Sequence, residues 1–438
     1  MRGPGTAWLF VSIVLGACGA RSGLEVEDLR DGGVDAPPCV PRVPAIEVCN
    51  GADDDCDGTS DEGLPIGPLG EARALRTTEG DTGAEALCVS CRWAWSPSIA
   101  AVEGGMLVPF FVGIYGGREM PSLFFRRTDR DGVPVGEVGN QGVAVPLMLR
   151  RMDEPGPDGA TWIDATLRVG FDDRPGWVIV ERDGSLRTLE AGMRSQVRSP
   201  SIVLGGALVA GWAHETNVRV DVLTPDGIGV RTTSHAVRVP GIELGGLTSL
   251  ALARTPRGDE GALFVARFTS EPRAFRLFAQ RLDRTGTPNG EIVTLLEDDA
   301  SLSMLAIGTE GGYLLFDPGN GSGPTSRFVD EALTRVEPPV LLLETEEGSD
   351  YSFDFLPLAG GGFLVHTVDA LVRLDARGAP QAMWRGRMAP GDDEQNRYVV
   401  RPDLAEIDGR LFVTWHGIEA DRTPNTVWIR ELACADPD

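Results

Sequence analysis

From about Arg73 onward the chain alternates short apolar runs with Gly, Pro and Asp turns, and almost no stretch repeats its apolar positions at helical spacing. Runs bounded in this way predict strands, so the long C-terminal part reads as all-β. Within it a glycine turn followed by a strand recurs: Gly104-Gly105-Met106-Leu107-Val108, Gly205-Gly206-Ala207-Leu208-Val209, Gly261-Ala262-Leu263-Phe264-Val265, Gly311-Gly312-Tyr313-Leu314-Leu315, Gly361-Gly362-Phe363-Leu364-Val365 and Gly409-Arg410-Leu411-Phe412-Val413. Arg174-Pro175-Gly176-Trp177-Val178-Ile179-Val180 is a degenerate seventh copy. Several copies run into a second strand and then a turn, as in Asp129-Arg130-Asp131-Gly132, Glu181-Arg182-Asp183-Gly184, Pro225-Asp226-Gly227, Asp283-Arg284-Thr285-Gly286 and Asp375-Ala376-Arg377-Gly378. Asp and Gly in these places suit hairpins, because Asp bonds nearby backbone and Gly accepts positive φ. Two copies also share a lead-in, Ser96-Pro97-Ser98-Ile99 and Ser199-Pro200-Ser201-Ile202.

The repeat averages about 51 residues between Gly104 and Gly409, which is the length of a propeller blade of about four short strands. Seven copies predict a seven-bladed β-propeller over residues 72–435. An array of Ig-like sandwiches would instead group its strands into units of about 100 residues, each with a cysteine pair and a tryptophan, and no such grouping occurs. A ring must be fastened where its ends meet. Residues around Arg73 to Thr78, or the strand near Trp93, are expected to complete the sheet that ends with Thr426 to Leu432.

The chain before the repeat is of another kind. Arg2 precedes an apolar run from Ala7 to Val14 and then Leu15-Gly16-Ala17-Cys18, a run too short to span a bilayer and suited to an export signal. Leu15 to Cys18 resembles the bacterial lipobox, which implies cleavage after residue 17 and lipid chains on Cys18. Gly19 after it, rather than Asp, implies the outer membrane, on its periplasmic or cell-surface side. Several acyl chains make such an anchor stable. Residues 18–44 are rich in Gly, Pro and acids without periodicity and read as a flexible tether. The formal net charge of −25 argues against nucleic acid and anionic lipid as partners, since both would be repelled.

Residues 45–64 concentrate acid. Asp53, Asp55, Asp57 and Asp61 fall at positions one, three, five and nine of a calcium loop, with Gly58 at the turn and the Thr59 carbonyl at position seven. Position twelve, where an EF-hand has a bidentate Glu, is Leu64, so Glu62 or water must complete the shell. No amphipathic helix flanks the loop, so it is not an EF-hand. A solvated acidic turn held by a disulfide is the competing reading. The string from Glu47 to Gly63 resembles the MopE-type metal-binding motif of exported bacterial proteins. That resemblance brings an association with copper, yet hard oxygen ligands favour calcium and make copper the less fitting ion.

With Cys18 lipidated, Cys39, Cys49, Cys56, Cys88, Cys91 and Cys434 remain. An even number in an exported chain predicts three disulfides. Of the fifteen possible pairings, a short bridge between Cys49 and Cys56 and one joining Cys434 to Cys88 or Cys91 are favoured.

Catalytic signals are few. All forty basic residues are arginine, which removes P-loop, Schiff-base and serine–lysine chemistry. Gly-x-Ser-x-Gly and His-Glu-x-x-His are absent. Of His214, His235, His366 and His416, three follow the repeated strand at similar offsets, and are read as strand ends on separate blades rather than a shared ion site. Trp177, Trp212, Trp384, Trp415 and Trp428 are read as packing between blades rather than a carbohydrate platform. The sequence therefore predicts a non-enzymatic, lipid-anchored, calcium-binding monomer whose propeller binds a protein or glycan ligand. The alternative is an exported propeller hydrolase or lyase acting on polysaccharide through paired carboxylates.

Overall fold

The computed structural model describes residues 64–434 apart from 77–92, 96, 114–121, 141–144, 156–159, 170–171, 191–196, 199–200, 215–216, 226–229, 241–246, 271–272, 299–304, 318–322, 345–353, 359–361, 368–369, 387, 389–397 and 419–426. All of the described secondary structure is β. Its strands form seven antiparallel sheets, the seven blades of a propeller. Six blades follow one another over residues 93–140, 145–190, 197–237, 247–298, 305–341 and 354–385, each a meander whose strands, a to d, pair in chain order. The a strands of blades 2 and 3, 3 and 4, 4 and 5, and 6 and 7 lie against each other, so the a strands form the inner ring.

Blade 7 is a composite. Its strands a to c are Tyr398–Ile407, Arg410–Ile418 and Val427–Cys434, while its outermost strand d is Ile66–Arg76. Ile66 pairs with Cys434 and Arg76 with Val427, with irregularities after Leu69 and Ala74. Of the two expected closures, the segment containing Arg73 is the one used, and the strand begins earlier than residue 72. Trp93–Trp95 belongs to blade 1.

The period-2 pattern explains the core. Along strand b of blade 6, Phe363 and Val365 join the cluster shared with blade 5, while Leu364 joins the one shared with blade 7. Every blade behaves in this way, so apolar side chains form seven clusters, one at each seam around the ring. Both faces of each sheet are thus covered, and the near-continuous apolar runs of the b strands follow from that.

Six repeat copies fall on b strands, as the spacing implies. The seventh does not. Arg174 to Val180 lies in strand c of blade 2 (Asp172–Val180), and strand b is Thr161–Val169. The shared Ser-Pro-Ser lead-ins interrupt the a strands of blades 1 and 3, because proline has no N–H for the ladder. The freed groups turn to the preceding blade. Ser98 Oγ and Ile99 N donate to Asp403 Oδ2 at 2.9 and 2.7 Å, and Ser201 N and Oγ donate to the Asp164 carboxylate at 2.6 and 2.8 Å. Both carboxylates are buried.

The a–b and c–d turns share one end of the ring, called here the hairpin face. Asp129, Asp283 and Asp375 each accept backbone N–H bonds from residues two and four further on. Gly132, Gly286 and Gly378 supply the positive φ. In blade 5 that position is Leu333, at φ 56°, held there by burial of its side chain in the seam with blade 4. Across the closure, Arg410 of blade 7 reaches Asp131 of blade 1 at 2.8 Å and also pairs with Glu431.

Candidate functional site

The b–c and d–a connections leave from the end opposite the hairpin face, and near it blades 6 and 7 bring polar and aromatic side chains together. Across blade 6 the strand register aligns Asp354 with His366, His366 with Leu371, and Leu371 with Trp384. Directly opposed residues of antiparallel strands share a face. Leu371 and Trp384 pack in the cluster between blades 6 and 7, so the row looks onto blade 7. There the register aligns Trp415 with Trp428 and Trp428 with Ala74. The two indoles stack at 6.4 Å with 19° between planes, and both belong to the same cluster. Asp354 opens its strand, His366 closes its own, Trp384 is next to last and Trp428 second, so the group lies toward the connection end of the seam.

Burial shapes the chemistry. Asp354 is buried, and its Oδ2 accepts the Leu404 N–H at 2.8 Å. His366 is fully buried and neither ring nitrogen has a partner. Loss of hydration pushes its pKa down to about 3, so the imidazole is neutral at ordinary pH, a hydrogen-bonding group rather than a proton shuttle. The indole nitrogens of Trp415 and Trp428 are also buried without partners. Each unpaired buried polar group costs about 1–3 kcal/mol, and three residues with such groups meet at one seam. Of this group only Trp384 and Trp428 are partly exposed, and flat indole faces of that kind suit a planar or ring-shaped ligand. The chain connections that begin or end around this sector, 77–92, 342–353, 386–397 and 419–426, are long beside two-residue turns such as 408–409.

Of the histidines, His214 and His366 end their strands, whereas His416 is third from the end of Arg410–Ile418 and His235 lies within Val230–Val237. His214, His366 and His416 lie in b strands of blades 3, 6 and 7, and His235 in strand d of blade 3. Among the described residues no three His, Cys, Asp or Glu side chains gather as a metal site. The tryptophans divide. Trp177, Trp212 and Trp415 are core, Trp177 donating to Ser201 Oγ at 3.0 Å, whereas Trp384 and Trp428 are half-buried. The cation-loop residues Asp53, Asp55, Asp57, Thr59, Asp61 and Glu62, with Cys18, Cys39, Cys49, Cys56, Cys88 and Cys91, lie outside the described residues. Cys434 ends strand c of blade 7 and is disulfide-bonded, its partner also lying outside them. Asp354 went unremarked in the sequence. The only signal for it is an acid at the start of an apolar strand, twelve residues before His366.

No protein-family model matches the chain, and no curated protein does. Solved propellers are similar at low identity. The β-propeller domain of the Trilobed protease from Pyrococcus furiosus, of open velcro topology, is 10% identical over 79% of this chain and 99% of that one, with a TM-score of 0.45. Puromycin hydrolase is 15% identical over 85% of this chain and 58% of its own, with a TM-score of 0.44. The α-L-arabinofuranosidase of Fusarium graminearum is 12% identical over 65% of this chain and 92% of its own, with a TM-score of 0.43. The expectation of a non-enzymatic protein is corrected by these findings: the similar propellers include those of hydrolases, and a ring of this kind gives no ground for excluding catalysis.

Proposed function

We propose that the protein is an exported propeller that takes a polysaccharide at the connection end of the seam between blades 6 and 7 and acts on it as a hydrolase or lyase. Cys18 anchors it to a membrane, and the acidic run Asp53 to Glu62 ahead of the ring binds calcium. The observation that carries the polysaccharide reading is the half-buried pair Trp384 and Trp428, packed at one seam against the buried Trp415 and beside the row that holds Asp354 and His366. Sugar rings present apolar faces and hydroxyls together, which such a lining accommodates.

The test is a panel of soluble polysaccharides followed by tryptophan fluorescence for binding, and by release of reducing ends or unsaturated products for cleavage. Trp428→Ala, at a half-buried position and with its fold checked by circular dichroism, is expected to weaken binding of the responding polymer by about tenfold, equivalent to about 1.4 kcal/mol. Absence of any response across the panel removes the reading. Binding without product removes its catalytic half.

Calcium is tested separately. Six carboxylates within residues 53–62 repel one another unless a cation neutralises them, so calorimetric titration of the mature chain is expected to show saturable heat that Asp53→Ala/Asp55→Ala abolishes. Equal heats from both proteins refute the assignment.

A further inference from the structure

Cys434 is disulfide-bonded, and the direction of its strand limits what it can bond to. It pairs with Ile66, while Leu432 pairs with Leu411, beside the 408–409 turn. Arg410 and Glu431 join the blade 1 turn at Asp131, so Cys434 lies on the hairpin face. Trp93 lies at the other end of the ring. It pairs with Gly113, whereas the turn of blade 1 closes where Val102 pairs with Gly105. The eight steps from Gly105 to Gly113 cover about 26 Å. Cys91 stands two residues before Trp93 and Cys88 five, and fully extended these stretches reach about 7 and about 18 Å. A disulfide adds at most about 7 Å between Cα atoms. Trp93 also lies on the inner ring and Cys434 two strands out, about 10 Å further in radius, so neither cysteine reaches. On the near side, Ile66 follows Cys56 by ten residues, a reach of about 35 Å, and Cys49 and Cys39 have more.

We infer that Cys434 is bonded to a cysteine of the segment 39–56, which staples the start of the chain to its end on the hairpin face. The remaining pairs are inferred to be local. With Cys88 and Cys91 left to pair with each other, two of the three N-terminal cysteines must also pair, and the short Cys49 to Cys56 bridge leaves Cys39 for Cys434. Forming each bond removes two thiol protons and two electrons, accepted by the disulfide-forming oxidants of an export compartment. The acidic run and the tether then leave from the hairpin face, and the seam mouth between blades 6 and 7 opens on the side away from the membrane. That last orientation, and the setting aside of Cys18 as a partner, rest on the lipid-anchored reading above; the exclusion of Cys88 and Cys91 as partners of Cys434 does not.

Trypsin separates the possibilities, since cleavage after Arg30, Arg42, Arg73, Arg76, Arg92 and Arg430 places Cys39 in 31–42, Cys49 and Cys56 in 43–73, Cys88 and Cys91 in 77–92, and Cys434 in 431–438. The mature full-length protein, alkylated before unfolding and digested without reductant, is expected to yield 431–438 linked to 31–42, with 77–92 two hydrogens lighter than its reduced form. A link from 431–438 to 43–73 also supports the staple. A link to 77–92, or 431–438 recovered alkylated and alone, overturns it. As a second measure, Cys434→Ser is expected to expose one new thiol, located by labelling between residues 39 and 56. A label on Cys88 or Cys91 overturns the proposal, and neither readout depends on polysaccharide binding or calcium.

Discussion

Deleting residues 1–76 from the chain is expected to unfold or oligomerise the propeller rather than yield a slightly weakened monomer. The deletion strips the outer strand Ile66–Arg76 from blade 7 and leaves the backbone edge of Val427–Cys434 bare. It also removes Leu75 from the cluster that seals blade 7 to blade 1, and Ile66 from the cluster shared with blade 6. Burial of two such side chains contributes about 3–6 kcal/mol, and the lost ladder adds to that. The sum is comparable with the whole net stability of an ordinary domain, about 5–15 kcal/mol. A bare edge is also a template for pairing with another chain. Deletion of residues 1–63, which keeps the strand, is the control. Light scattering coupled to size exclusion, with thermal unfolding, decides the matter: equal masses and midpoints for the two truncations would mean that the outer strand does not hold the ring.

Asp403→Ala is expected to destabilise the protein by about 3 kcal/mol in denaturant unfolding. The side chain is 4% exposed and receives both Ser98 Oγ and Ile99 N on one oxygen. Hydrogen bonds to a charged group contribute about 1.5–3 kcal/mol, and donors left unpaired in the core add their own desolvation cost. Asp403→Asn is expected to lose less, because an amide oxygen in the same place still accepts both donors. Asp164 holds Ser201 in the seam between blades 2 and 3 in the same way, so Asp164→Ala should show a similar loss. A value below about 0.5 kcal/mol for Asp403→Ala, in the range of an ordinary surface change, would show that the latch does not matter to closure.

Much of the ring was legible because b strands buried on both faces are nearly continuous apolar runs, entered through glycine turns, and that signature survives divergence. It misled in blade 2. There strand b carries the buried Asp164 and enters through Gly159-Ala160, while Pro175-Gly176 inside strand c imitates the turn. The blade 5 turn was hidden for the opposite reason, since Leu333 takes a glycine's conformation under pressure from burial. The repeated Ser-Pro-Ser was visible, but its meaning depends on carboxylates 37 and 305 residues away. The candidate site was the least legible. Val365-His366 and Trp415-His416 look alike in sequence, yet His366 faces the aromatic seam while Trp415, not His416, faces it from blade 7.

Joining the first strand to the last three also constrains biogenesis. Six blades can assemble as the polypeptide emerges, but the seventh waits for residues near 434 while its partner strand, made first, remains unpaired. Contacts so distant in sequence form slowly. Closure of the ring is therefore the last step of folding, completed only when both ends of the chain are free in one place.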